Sequence, residues 1–368
     1  IIEVGGTVGD IESQPFLEAI RQFQHEVGHD NAILIHVTLI PYLSASGELK
    51  TKPTQASVKE LQGMGIQPDI IVCRTEHELD RQIRDKIALF CNVPKKCVLQ
   101  NLDVEYLYEA PLAMEKENLA QVACECLKLD CPEPDLTDWK KMVEDLRHPT
   151  DEVQVALVGK YVSLHDAYIS VVEALKHGGI TNHATVHIKW IDSETVTPEN
   201  VEELLGDCNG VLVPGGFGSR GIEGKILAIQ YARIHGIPFL GLCLGMQLTI
   251  VEYARNVIGY TDAHSVELDP NTTHPVIALM PDQNGVEDIG GTLRLGAYPC
   301  VLDKDSRAYQ LYGQENISER HRHRYEVNND YRAVLTEHGL RLSGLSPDGR
   351  IVEMCELTEH PFFVATQG

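Results

Sequence analysis

Cys243 lies between two glycines in Gly241-Leu242-Cys243-Leu244-Gly245-Met246-Gln247, and this setting is the strongest chemical signal in the chain. The apolar run Ile237-Pro238-Phe239-Leu240 before it predicts a strand, and residues 248–254 after it have a helical pattern. A nucleophile on a sharp strand-to-helix turn needs small neighbours, because larger side chains clash with the bent backbone or block the substrate. A helix starting just after the sulfur aims free N–H groups and a positive dipole end at it, which favours the thiolate. Attack on a carbonyl creates an oxyanion that needs backbone N–H donors. A second glycine-rich turn, Pro214-Gly215-Gly216-Phe217-Gly218, follows an apolar run at 210–213 and can supply them. Most cysteines are inert small hydrophobes, and none of the other nine has a comparable setting.

The pattern around these motifs predicts what positions them. In the first part of the chain, short apolar runs at 32–37 and 70–73 alternate with helical periodicity at 16–26 and 84–90, which predicts a parallel sheet flanked by helices. Prolines and charges at 131–135 and 147–151 read as a linker, and Val153-Gln154-Val155-Ala156-Leu157-Val158-Gly159 opens a second series of strands that continues at 184–188, 210–213, 237–240, 351–356 and 362–365. The expectation is an α/β protein of two domains, 1–149 and 150–368, each a mainly parallel sheet flanked by helices. Both glycine-rich motifs then fall after C-terminal strand ends, where such sheets bind ligands. The start, Ile1-Ile2-Glu3-Val4-Gly5, reads as the middle of a strand, so the sequence is expected to begin inside a domain.

Composition narrows the partners. Against 54 acidic residues stand 31 basic ones, a net charge of −23, which argues against a nucleic-acid surface or an anionic membrane. Bound phosphates must then be held by local Lys or Arg clusters or through metal. The spacing of Cys124, Cys126 and Cys131 fits no common zinc pattern, and free thiols in a reducing cytoplasm are expected. No apolar run approaches the ~20 residues needed to span a bilayer.

Residues 241–247 resemble the nucleophile motif of class I, triad-type glutamine amidotransferases, and longer motifs narrow the resemblance to the CTP synthase family. These are 214–224 (Pro-Gly-Gly-Phe-Gly-Ser-Arg-Gly-Ile-Glu-Gly), 320–328 (Arg-His-Arg-His-Arg-Tyr-Glu-Val-Asn), 5–13 (Gly-Gly-Thr-Val-Gly-Asp-Ile-Glu-Ser) and 50–55 (Lys-Thr-Lys-Pro-Thr-Gln). The resemblance implies glutamine hydrolysis at Cys243, with Gly216 as an oxyanion-hole donor, Phe217 beside it, and Leu244, Gly245, Met246 and Gln247 lining the substrate. It implies that Glu267 accepts the glutamine ammonium and that Arg324 clamps its carboxylate, a role suited to a planar guanidinium fork. Alternation of Arg320, Arg322 and Arg324 with His321 and His323 predicts a strand with one face in the site. The family's base and its orienting carboxylate lie in a Phe-His-Pro-Glu segment directly after the strand matched by 363–367, so the triad is expected to be incomplete within these residues. His360-Pro361 matches a surface position before that strand and is not expected to replace the base.

The same resemblance implies ATP-dependent amination of UTP at C4, with ATP phosphorylating the carbonyl oxygen and ammonia displacing phosphate. Glu3 resembles a Mg2+ ligand. Asp10, Ile11 and Glu12 match the pyrimidine-nucleotide loop, and Lys50, Thr51, Lys52, Pro53, Thr54 and Gln55, read as a turn, with Lys86 would hold UTP or product CTP. Leu102, Asp103 and Val104 match the adenine edge of the ATP site, whose P-loop belongs before Ile1. GTP, an allosteric activator in the family, is associated with the loop carrying Arg220 and Glu223; the segment between Leu279 and Gly290 bears on it and is short. A cytoplasmic homotetramer is implied, with CTP as product and inhibitor. A stand-alone class I glutaminase would have no need of residues 5–13 or 50–55, and a noncatalytic assembly subunit is favoured only by the missing triad members.

Overall fold

The computed structural model describes residues 1–280 and 294–368, which divide into two units, Ile1–Arg147 and His148–Gly368. The part of the short segment after Met280, residues 281–289, lies outside the described residues.

In the first unit, a three-stranded parallel sheet has Ile70–Thr75 at its centre, flanked by Ile35–Leu39 and Val98–Leu102. The unbroken apolar run at 70–73 follows from burial on both faces, as parallel sheets require. Helices Gln14–Val27, Lys52–Gly63 and Arg81–Cys91 accompany the sheet. Val58 and Ile87, from the second and third of these, join Ile70, Ile71 and Val98 in the core. Asp80 caps the third helix by accepting the Ile83 N–H at 2.7 Å. Two local expectations are corrected. Residues 1–5 form no strand, because no described strand offers them a ladder, and Ile1 and Ile2 stand exposed. The Lys50–Gln55 motif is not a simple turn: Thr51 occupies the N-cap position and Lys52 opens a helix, with Pro53 in its first turn, where the missing N–H costs nothing.

The second unit is built on a nine-stranded sheet. From Ala184–Asp192 it runs through Asp151–Gly159, Gly210–Val213, Phe239–Leu242 and Phe363–Thr366 with every pairing parallel. It then continues through Val352–Leu357, Leu340–Leu345, Arg294–Leu302 and Asn316–His323 with every pairing antiparallel. The parallel half sets the chemistry. Because Phe239–Leu242 has parallel neighbours on both sides, three consecutive strands end at one edge, and Cys243 and the 214–218 turn emerge there together. Helix Leu244–Tyr253 is buried at all ten positions and packs with Ile222–His235 over this half of the sheet. Phe239 and Phe363 stack with ring centroids 4.5 Å apart, pinning the central strand to its neighbour.

The helix approaches the sheet closely only because position 245 lacks a side chain: a β-carbon on Gly245 would stand 2.1 Å from the Val213 carbonyl oxygen. Gly178, by contrast, lies in helix Ile169–Thr181 with no atom of the described residues within 4 Å of an added β-carbon. Gly245→Ala is therefore expected to destabilise the protein by about 1–3 kcal/mol. Gly178→Ala should stabilise it by about 0.5–1 kcal/mol. Urea denaturation of both variants checks the contrast, and equal effects would contradict it.

Candidate active site

Cys243 has φ 52° and ψ −103°, a combination that a side chain rarely adopts and that costs on the order of 1–3 kcal/mol. The surrounding bonds force it. The Cys243 N–H donates to the Thr366 carbonyl at 2.7 Å, while the Cys243 carbonyl accepts from the Met246 and Gln247 N–H groups at 3.0 and 3.2 Å. The backbone is thus held by the neighbouring strand on one side and the first helical turn on the other. The 214–218 turn closes over the sulfur: a β-carbon on Gly215 would stand 3.3 Å from the Cys243 β-carbon and 3.9 Å from Sγ.

Beside the sulfur lies a cavity of about 290 Å³ lined by Gly216, Phe217, Cys243, Leu244, Gln247, Glu267, His323, Arg324 and Tyr325. Most of the residues assigned to glutamine thus come together, but Gly245 and Met246 do not line this space. Gly245 faces Val213, and Met246 is fully buried in the core, because the helix turns those positions toward the sheet. Among the described residues the buried Arg324 Nε has no hydrogen-bond partner, and burial raises the Glu267 carboxyl above its ordinary range despite the opposing charges of Arg324 and Lys160. The cavity therefore presents an unspent guanidinium donor and an acid whose charge its cationic neighbours offset only in part.

The sulfur itself is not a ready thiolate. Burial pushes the Cys243 thiol up to about 11, outweighing the Leu244 N–H and the Gln367 amide, which favour the thiolate; Glu326 and Glu267 raise it further. The Gln367 Nε2 donates to Sγ at 3.7 Å, and its Oε1 accepts from Gln247 at 3.3 Å. The helix start favours the thiolate through the Leu244 N–H, as expected, but desolvation is the larger effect.

His360 is placed away from this chemistry. It precedes the Phe363–Thr366 strand, which runs parallel to Phe239–Leu242, so it sits beyond the opposite strand end from Cys243, with the strand's own span of about 13 Å between them. It is buried rather than superficial, correcting its expected surface position: its Nδ1 accepts from the Phe362 N–H at 3.2 Å and its Nε2 donates to the Ala232 carbonyl at 3.1 Å. Residues Asn316–His323 form the anticipated strand, but the buried face belongs to His321 and His323, with Arg324 just past the strand end. His323 bonds His321 at 2.9 Å and lies 3.5 Å from the buried Glu326, while His321 lies 3.7 Å from Glu353, and Arg294 pairs with both carboxylates. Burial lowers His321 to about 4 and His323 to about 3, so both are neutral at pH 7.

Two lysines outside the expected set complete the surroundings. Lys160, just after strand Asp151–Gly159, donates to the Phe217 carbonyl, and Lys225 in helix Ile222–His235 is fully buried. The rule that ligands gather after parallel strand ends points to Lys160; nothing in the helical pattern flags Lys225. Arg220 pairs with Glu194 at 3.6 Å and Glu223 with Arg255 at 2.9 Å. Glu223, Glu194, Ser193, Ser219 and His264 line a separate cavity of about 420 Å³.

In the first unit, Asp10 accepts the Thr7 N–H at 2.7 Å, Ile11 and Glu12 are exposed, and the Asp103 N–H joins Thr75 at 3.1 Å beside Leu102 and Val104. Lys50 pairs with Glu48, Lys52 lies 5.7 Å from the Phe90 ring centroid, and Lys86 is exposed. Thr54 is fully buried and bonds Thr38 at 2.9 Å, so its hydroxyl is structural, and Thr51 Oγ1 accepts from Gln55 at 3.0 Å. Glu3 is exposed. Among the described residues no group of three or more His, Cys, Asp or Glu side chains is arranged to hold a metal. None of the described helices is long and apolar enough to cross a membrane.

A strained cysteine between glycines at the edge of a parallel sheet is the arrangement of a class I glutamine amidotransferase, and the family of that description matches residues 163–368. The family described as the CTP synthase N-terminus matches residues 1–129. The chain belongs to the CTP synthase family. It is 59% identical to the CTP synthase of Clostridium acetobutylicum and 57% identical to that of Geobacillus kaustophilus, in each case over 100% of this chain and 69% of the relative. A solved glutaminase domain of Trypanosoma brucei CTPS with bound acivicin is 38% identical, with a TM-score of 0.55, covering 58% of this chain and 84% of that one.

If burial controls the thiol, alkylation of Cys243 by iodoacetamide should rise about tenfold per pH unit from pH 7 to 10, without a plateau. Peptide mapping of the modified cysteine checks this. A plateau below pH 8 would mean the thiolate is stabilised in the free site.

Proposed function

We propose that the chain forms CTP from UTP, using ATP and the amide nitrogen of glutamine hydrolysed at Cys243. The observation that carries this reading is the forced backbone of Cys243 beside a cavity in which, among the described residues, Arg324 Nε has no hydrogen-bond partner and burial raises the Glu267 carboxyl. Free glutamine has complementary groups: its carboxylate suits Arg324 and its ammonium suits Glu267, leaving the amide to reach the sulfur and the oxyanion to meet the Gly216 N–H. The attacking sulfur displaces ammonia to give a γ-glutamyl thioester, and water then releases glutamate. Because the thiol lies near 11, a base must take its proton. The Cys243–Thr366 bond brings the end of the last strand against the elbow, which supports the family assignment of that base to residues directly following this strand.

The N-terminal match weighs against a stand-alone glutaminase. Lys50 and Lys52 beside the start of helix Lys52–Gly63 combine cationic groups with free N–H donors, a setting for the phosphates of UTP or CTP, and Lys86 is the third cation of this reading. Gln55 and Thr51 brace the turn into the helix. Asp10, Ile11 and Glu12 are assigned to the pyrimidine nucleotide and Leu102, Asp103 and Val104 to adenine. Glu3 is the carboxylate assigned to Mg2+, an ion that commonly combines one or two carboxylates with substrate phosphates and whose charge offsets theirs. GTP as activator is assigned to Arg220 and Glu223. The ten free thiols support a reducing cytoplasm. Exposed Phe16, Phe23, Ile35, Val37 and Leu39 support burial against further protein, as in a homotetramer.

In the full-length protein, Cys243→Ala should abolish glutamine-dependent CTP formation and leave ammonia-dependent formation unchanged; equal loss of both would contradict the division of labour. Arg324→Lys should raise KM for glutamine about tenfold or more at unchanged ammonia-dependent rate, since a point charge cannot replace a fork. Lys50→Ala should raise KM for UTP with either nitrogen source, and unchanged UTP dependence would remove its phosphate role.

A further inference from the structure

Lys225 is fully buried, and among the described residues its ammonium has no hydrogen-bond partner. Three features of its position oppose a cation. Burial strips its hydration. Lys160, a second cation, is close enough to repel it. It also lies near the start of helix Ile222–His235, where the dipole end is positive. Burial and Lys160 together lower it from the ordinary lysine range to about 8, so it remains largely protonated at pH 7. A methionine of similar volume would avoid all of these costs.

The placement of the ammonium shows what it can act on. A β-carbon on Gly216 would stand 3.8 Å from Lys225 Nζ, while one on Gly215 would stand 3.9 Å from Cys243 Sγ. The space beside Gly215 thus holds the nucleophile, and the space beside the next residue, Gly216, holds the buried ammonium. Lys160 already binds the Phe217 carbonyl in the same turn. A cation beneath a peptide attracts its carbonyl and turns the N–H outward, and a positive charge in a dry environment acts strongly on a negative charge formed nearby.

We propose that Lys225 is a positioning residue for amide hydrolysis: its ammonium, beneath the Gly215-Gly216-Phe217 turn, orients those peptides with their N–H groups toward the cavity and supplies positive potential to the oxyanion formed at Cys243. Its lack of a partner in the free site and its proximity to the turn have one explanation, since the compensating negative charge exists only during the reaction. This inference rests on the reading of Cys243 as the glutamine nucleophile.

The test compares Lys225→Met and Lys225→Gln with the unchanged full-length protein. Both variants should lower kcat for glutamine hydrolysis by about tenfold or more with KM changed less than about twofold, because the interaction acts mainly in the transition state. Ammonia-dependent CTP formation should be unchanged, and the thermal midpoint of Lys225→Met should stay level or rise. Retention of kcat within twofold in both variants overturns the proposal. So does a fall in thermal midpoint with parallel loss of ammonia-dependent activity, which marks a structural role. Cys243→Ala measured alongside separates the two readings: if it retains glutamine-dependent activity, the nucleophile assignment itself fails.

Discussion

The structure depends on one constraint, the backbone of Cys243 held where side chains rarely go. The restraint is distributed. Thr366 holds the N–H, the first turn of the following helix holds the carbonyl, and the absence of a side chain at 245 lets that helix press against Val213. None of these contacts is strong alone, since a hydrogen bond contributes about 1 kcal/mol net. Together they offset a strain of similar size and leave the sulfur facing the cavity. The buried helix Leu244–Tyr253 and the parallel strands around Phe239–Leu242 act as the frame of that elbow.

Several buried polar groups of the second unit are electrostatically unfavourable as they stand. The thiol and the Glu267 carboxyl are pushed up by burial, and among the described residues Arg324 Nε and the Lys225 ammonium have no hydrogen-bond partner. The buried acid and the two donors cost stability in the protein, and under the proposed glutamine hydrolysis each of these groups would meet a complementary group of glutamine or of the intermediate formed from it. A low-dielectric site strengthens those interactions when they are made and penalises them when they are not. The neutral His321–His323 pair and the Arg294–Glu353 ion pair form a buried polar layer beside the cavity.

How far the sequence revealed this depends on the kind of feature. Elbow glycines are legible because backbone sterics tie them to a turn, and the run at 210–213 coincides with its strand because an unbroken apolar stretch has few alternatives in a parallel sheet. Arg324 and Glu267 came from resemblance, since a single arginine in a basic run is normally solvated. The direction of Met246 was missed because a motif gives residue identity but not helical phase at the substrate. Residues 50–55 looked like a turn because Thr and Pro serve helix starts and turns equally well. Lys225 was invisible: a lysine in a helical stretch carries no sequence mark of burial, and only packing against the 214–218 turn reveals it. The antiparallel half of the second sheet depends on long-range pairing that local periodicity does not encode.

The central claim, that Cys243 takes the amide nitrogen by forming a bond to the glutamine side chain, is most directly tested by rapid acid quench of the full-length protein turning over isotopically labelled glutamine, followed by peptide mass mapping. A hydroxylamine-labile γ-glutamyl thioester is expected on the peptide containing Cys243. Label on another cysteine, or hydrolysis at full rate with no covalent adduct on any cysteine, would contradict it.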